Sequence, residues 1–281
     1  MTPGTVEHRD LFCRTFIDTH VPYDPEALPW PKLDGLLLER LRAFPFWSYA
    51  RSIEHRAGRM VSGFARTVED PAIREAIALQ GVEETRHGRL MEHVAERYAI
   101  DAPLLPIPDL PAVKEEFLTF GFGECSDSFI GFGGFALARR KALFPKAILT
   151  IFERILWEEA RHIVFFVNWW RYEQARAGRG GLFVRTLDAV RFHARSVLGT
   201  ADDVAAAPVD MATIRRMLDG TSIADFLAAA LEENRRHMAH FDPRLIRPRL
   251  VPAVATLALL GIRLLPPRDP PENRAHPRLA A

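Results

Sequence analysis

Apolar residues recur at helical spacing through most of this chain, and nowhere do they alternate as a half-buried strand requires. Residues 1–33 stand apart. Pro22, Pro25, Pro29 and Pro31 prevent a long helix there, so the segment reads as an irregular lead-in. Asp34 is placed to cap a first helix over 35–68, with Leu36, Leu37, Leu41, Phe46 and Ile53 on its apolar side. Pro45 should kink or split that helix, so the part carrying Glu54 starts afresh near Phe46. Asp70-Pro71 supplies a cap and a first-turn proline for a second helix ending near Tyr98. The proline-rich stretch 100–111 is a connection. A third helix is expected over 112–141 and a fourth over 146–176, stopped by Gly178, Gly180 and Gly181.

The two hairpins, 35–98 and 112–176, resemble a diverged internal repeat. The expected organisation is therefore all-α: a lead-in (1–33), a bundle of two helical hairpins (34–176), further helices (177–265) and a tail (266–281). Within the third part, helices are expected near 183–199, 209–219 and 222–241, kept short by Pro208 and Gly220. The tail is rich in proline and arginine and is expected to be disordered.

Composition narrows the class. Of 281 residues, 48% are hydrophobic, enough for a sizeable core. The net charge of +1 gives no reason to expect a nucleic acid partner. Cys13 and Cys125 are too few for a disulfide framework, and the polar start of the chain has no signal-peptide character; a cytoplasmic protein is expected. The most apolar late stretch, Val251–Leu265, is shorter than the roughly 20 residues a bilayer span needs and contains Pro252 and Arg263. Only peripheral membrane contact stays open.

One phrase occurs twice: Glu-Glu-Thr-Arg-His at 83–87 and Glu-Glu-Ala-Arg-His at 158–162. Three residues advance a helix by roughly 300°, so Glu84 and His87 share a face, as do Glu159 and His162. A single acid precedes each motif: Glu54 lies 30 residues before Glu84, and Glu124 lies 35 before Glu159. Glutamate and histidine three apart are common on solvated faces, but here apolar neighbours such as Ile77, Leu90, Ile155 and Val164 surround both copies. Carboxylates in such a setting need a compensating charge, and two metal ions supply it. The third helix offers two acids. Hairpin symmetry slightly favours Asp127, whereas reach and residue type favour Glu124. Glu83 is placed to serve His162 across the bundle and Glu158 to serve His87, with Arg86 and Arg161 neutralising those acids. Ordinary intrahelical ion pairing is the other reading of these four.

The six residues Glu54, Glu84, His87, Glu124, Glu159 and His162 resemble the ligand pattern of the ferritin-like di-iron carboxylate superfamily. The likeness covers residues 35–176 and is nearest to the oxygen-activating members, the soluble acyl-carrier-protein desaturases and the hydroxylase subunits of multicomponent monooxygenases. It implies a ferritin-like four-helix bundle with additional C-terminal helices. It also implies two iron ions (a mixed Mn/Fe pair suits the same donors), O2 and an apolar small molecule as substrates, and an external electron donor such as a ferredoxin or reductase. A homodimer is compatible. Departures exclude some relatives. Met91 stands where ribonucleotide reductase subunits keep a radical tyrosine, Ile155 where arylamine oxygenases add a histidine, and no rubredoxin-type cysteine set exists. The alternative reading is an iron-binding, ferroxidase-type protein without an organic substrate.

Around Glu124, Phe120, Phe122, Phe129, Phe132 and Phe135 interleave with Gly121, Gly123, Gly131, Gly133 and Gly134. Each glycine costs a helix about 1 kcal/mol relative to alanine, so the density has a cause. Space beside the metals for O2 and substrate is one; close helix packing is an equal one. Trp157, Trp169 and Trp170 are expected in the core or at an interface rather than in a pocket.

Overall fold

The computed structural model describes residues 1–106, 108–179, 181–206, 216 and 219–264, and among them every regular element is a helix. The first, α1 (Val6–Asp18), corrects the expectation of an irregular lead-in. Of the five prolines in that segment, Pro3 precedes the helix and the other four lie at 22 and beyond, so nothing in 6–18 opposes a helix. Thr5 caps it by accepting the His8 amide, and His8, Phe12 and Phe16 recur every fourth residue on its buried face. Beyond it the chain makes one short 3-10 turn (Pro25–Ala27).

Pro45 does divide the next expected helix, giving α2 (Gly35–Arg42) and α3 (Trp47–Ala65). α4 (Pro71–Arg97) starts where Asp70 accepts the amides of Ala72 and Ile73. α5 (Lys114–Arg140) and α6 (Lys146–Arg176) complete the second hairpin. α7 (Leu182–Ala206) runs longer than expected, and α8 (Ile223–Met238) opens with a reciprocal Ser222–Asp225 capping box. The helix expected at 209–219 and the tail at 266–281 lie outside the described residues. A further helix, α9 (Leu250–Leu264), occupies the late apolar stretch, tolerating Pro252 in its first turn.

α3 packs on α4, α5 on α6, and α1 on both α4 and α6; α8 and α9 lie against α5. Two separate apolar clusters result. One gathers Phe12, Phe64, Phe117, Phe166 and Trp169; the other gathers Trp47, Leu90, Val94, Ile148 and Ile151. On α4 the first cluster takes Ile73 and Ile77 and the second takes Leu90 and Val94. On α6 the order reverses, as it must for antiparallel neighbours. Glu84, His87, Glu159 and His162 fall between the clusters, as a polar layer sealed at both ends.

Candidate metal centre

Four helices each send one acid or one acid-histidine pair into that layer. Glu54 comes from α3, Glu84 and His87 from α4, Glu124 from α5, Glu159 and His162 from α6. Their donor atoms form two sets, Glu54–Glu84–His87–Glu159 and Glu84–Glu124–Glu159–His162, with the atoms of each set within 4.8 Å of one another. Glu84 and Glu159 belong to both. Asp127 belongs to neither; it is exposed in the wall of a neighbouring cleft.

Each histidine turns its Nδ1 inward and its Nε2 outward. His87 Nδ1 lies 3.3 Å from Glu159 and 3.5 Å from Glu54, and His162 Nδ1 lies 3.0 Å from Glu84 and 3.5 Å from Glu159. Neither nitrogen has a hydrogen bond of good geometry among the described residues, although both rings are fully buried. On the outer side, His87 Nε2 donates to Glu158 at 2.7 Å and His162 Nε2 donates to Glu83 at 2.9 Å. Arg86 donates to Glu158 at 2.5 Å and Arg161 to Glu83 at 2.8 Å, each across the helix pair. Fixing one imidazole nitrogen in this way leaves the other as a lone-pair donor aimed at the centre.

Three participants carry no signal in the sequence. His20 Nδ1 donates to Glu83 at 2.5 Å, and the Tyr23 hydroxyl donates to Glu158 at 3.4 Å. Both follow α1, whose packing on α4 and α6 brings residues 19–23 over the histidine side of the layer. Gln80, one turn before Glu84, donates to Glu84 at 3.3 Å and to Glu124 at 3.2 Å.

The electrostatics describe a site short of cations. Burial pushes Glu54 up to about 7, and it pushes Glu124 well above the carboxylate range, with the charges of Glu84 and Glu159 adding to the rise. Burial opposes charging of His87 and His162, yet the surrounding carboxylates hold both well above the usual imidazole value. Glu84 and Glu159 are lowered despite burial, chiefly by His162 and His87; for Glu159 the charge of Glu84 also opposes the lowering. Protons therefore balance the cluster: two histidinium ions against two carboxylates. Two divalent ions against four carboxylates and two neutral imidazoles give the same neutrality. The donor set, the shared acids and the inward Nδ1 atoms all fit a pair of metal ions held by oxygen and imidazole.

Two voids lie beside this layer. One is an apolar cavity of about 510 Å³, every described lining residue of which is apolar or glycine. Ala50 lies one turn from Glu54, Met91 one turn from His87 and Ile155 one turn from Glu159; all three stand in its wall. Gly131 and Gly134 line it too, and a Cβ on Gly134 would meet no described atom within 4 Å. Gly121 and Gly123 behave differently, since a Cβ there would lie 2.2 Å from the Phe166 ring or from Ser196 Oγ. Close packing explains Gly121, Gly123 and Gly133, the last with Ala230 2.9 Å from where a Cβ would lie, and open space explains Gly131 and Gly134. The other void is a cleft of about 400 Å³ between α3, α5 and α7, lined by apolar residues such as Ile53 and Phe120 and by Arg56, Glu116, Arg195 and Glu124. Trp157 lines neither void and packs 4.3 Å from the His237 ring, while Trp169 and Trp170 are buried in the core.

No protein-family model, curated protein or solved structure matches the chain.

Proposed function

We propose that the protein is an O2-dependent non-haem di-iron oxidoreductase built on a ferritin-like four-helix bundle, acting on an apolar small molecule. The observation that carries this reading is the apolar cavity whose wall includes Ala50, Met91 and Ile155, each one helical turn from a candidate ligand. A metal store has no use for such a cavity; an oxidising centre needs one that positions substrate and excludes water.

Glu54, Glu84, His87 and Glu159 would hold one ion and Glu84, Glu124, Glu159 and His162 the other, with Glu84 and Glu159 shared. An iron pair bound there supplies the redox chemistry toward O2. The chain's own residues do the rest. Glu83 and Glu158 keep His87 and His162 in the tautomer that presents Nδ1. Met91 and Ile155 close the cavity against the ligand layer, so a substrate is held by shape alone. No flavin, nicotinamide or iron–sulfur motif is visible in the sequence, so a separate protein supplies electrons. A second reading, iron handling without an organic substrate, draws its support from the other cleft, where Arg56, Glu116, Asp127 and Arg195 share the wall with Glu124.

Anaerobic titration with Fe(II) should give two irons per chain, falling to one or fewer in Glu84→Ala and Glu159→Ala. O2 uptake by the loaded, reduced protein should then quicken with apolar probe molecules. Filling the cavity by Gly134→Phe should abolish that quickening while the iron count stays at two. O2 uptake indifferent both to probes and to Gly134→Phe would favour iron handling. Equal, negligible iron in wild type and variants would end both readings.

A further inference from the structure

α9 is held to the rest of the molecule by a narrow stripe. Val251 and Ala255 pack against Phe129 of α5 and Ala230 of α8, and Leu259, four residues further on, is buried as well. The remainder of the helix faces outward and is apolar: Val254 is 58% exposed, Leu257 69%, Leu260 51% and Leu264 85%. These positions fall on one side of the helix, and Arg263 is its single charged residue. Its 15 residues are too few to cross a bilayer, and among the described residues no helix is long and apolar enough to do so. A contiguous apolar face of this kind on a helix marks an interaction surface.

Three occupants compete for it. The chain's own C-terminal stretch is a poor cover, because residues 265–281 contain five prolines and, as large apolar side chains, only Leu265 and Leu279. A second copy is disfavoured by charge. Arg249 stands just before the helix and Arg263 near its end, so antiparallel pairing of two such helices sets arginine against arginine. A lipid surface meets neither objection. Residues 243–281 carry seven arginines against Asp269 and Glu272, while the whole chain has a net charge of only +1. Apolar side chains flanked by arginine are suited to a bilayer's acyl boundary and its anionic headgroups.

We propose that α9 docks the protein, as a monotopic helix, on an anionic lipid surface. Insertion places Leu257 and Leu260 among the acyl chains and Arg249 and Arg263 at headgroup phosphates. The helices that carry α9 also reach the apolar cavity: Ile130 of α5 and Phe226 of α8 stand in its wall. Docking by α9 thus acts through two helices that also wall the cavity. The docking itself involves no metal and stands apart from the proposed chemistry.

The test is co-sedimentation of the full-length protein, without iron, with phosphatidylglycerol–phosphatidylcholine vesicles and with phosphatidylcholine vesicles alone. Binding to the mixed vesicles should weaken at least about tenfold on omitting phosphatidylglycerol, and likewise in Arg249→Glu/Arg263→Glu. The exposed double variant Leu257→Glu/Leu260→Glu should lose binding while keeping its helical circular dichroism and elution volume. Absence of wild-type protein from the mixed-vesicle pellet overturns the proposal. So does a wild-type dimer that the leucine variant turns into a monomer, because the face would then be a seam between two copies.

Discussion

The His87 and His162 halves of the ligand layer repeat the same histidine–acid–arginine chain until its outermost partner. In each, the imidazole donates to the acid that precedes the opposite helix's motif, and that acid also accepts an arginine. Then they part. Glu83 takes a third, close bond from His20, while Glu158 has only a long contact from the Tyr23 hydroxyl. Arg161 is further tied to Thr19 and to the Phe16 carbonyl. Both arginines also lie against a ring, Arg86 4.1 Å from the Tyr23 centroid and Arg161 4.5 Å from that of Phe16. The His162 half thus has added hydrogen bonds beside its ring, whereas the His87 half rests chiefly on its aromatic cover. A repeat can double the ligands, but a single N-terminal segment crosses both halves and must treat them differently.

Removing the two outer acids should expose that difference most strongly. Glu83→Ala leaves Arg161 and His162 buried without a carboxylate, and breaking a buried pair this way costs about 3–5 kcal/mol. Glu158→Ala strands Arg86 less completely, because Arg86 also lies 3.7 Å from Glu83, and about 1–3 kcal/mol is expected. Urea unfolding of the metal-free proteins measures both; equal losses would mean that the added hydrogen bonds and the cover are equivalent.

Acid and base should separate the inner and outer acids of the same layer. Glu83 is held down to about 2, since His162 and Arg161 overcome the effect of burial. Its contribution is present above the ordinary glutamate range and is lost as pH falls toward 2. Glu54 runs the other way: its carboxyl is raised to about 7, so the fold loses stability as pH rises from about 4.5 through 7. His87 and His162 are raised as well, and their contribution, complete below about 6.5, is lost as pH climbs through their folded values. The metal-free protein should therefore be most stable in mildly acidic solution, with a urea midpoint at pH 5.5 above those at pH 3 and pH 8.5. Loading with a divalent metal displaces those protons and should flatten the alkaline side only. A metal-free midpoint that rises toward pH 8.5 would contradict the charge assignment.

How much of this was legible in the chain follows from the range of each interaction. Asp34 and Pro45, Asp70-Pro71 and Gly178 mark helix ends through local backbone chemistry, and the helices α2 to α6 follow those marks. Glu84 and His87 could be paired on sight because their geometry is set within one helical turn. The layer around them could not be completed that way. His20 and Glu83 are 63 residues apart and Tyr23 and Glu158 are 135 apart, and no spacing rule connects them. The prolines at 22–31 were also read too widely, hiding the α1 helix that delivers His20 and Tyr23 to the site. Similarly, nothing local distinguishes Gly121 from Gly134; Phe166 on α6 fills the space beside one, and the other faces the cavity.

The aromatic cover gives the smallest effect and the finest test. Tyr23→Phe removes a hydroxyl whose bond to Glu158 is long, so it should cost no more than about 0.5 kcal/mol. Tyr23→Ala also strips the ring from Arg86 and from Arg154, whose guanidinium lies 5.5 Å from the ring centroid. Losing that cation–π contact and the packing should add about 1–2 kcal/mol. If the cover works through its ring, the phenylalanine variant stays close to wild type in urea while alanine does not. If both variants lose the same amount, the hydroxyl holds Glu158 in place, and the two halves of the layer are clamped alike after all.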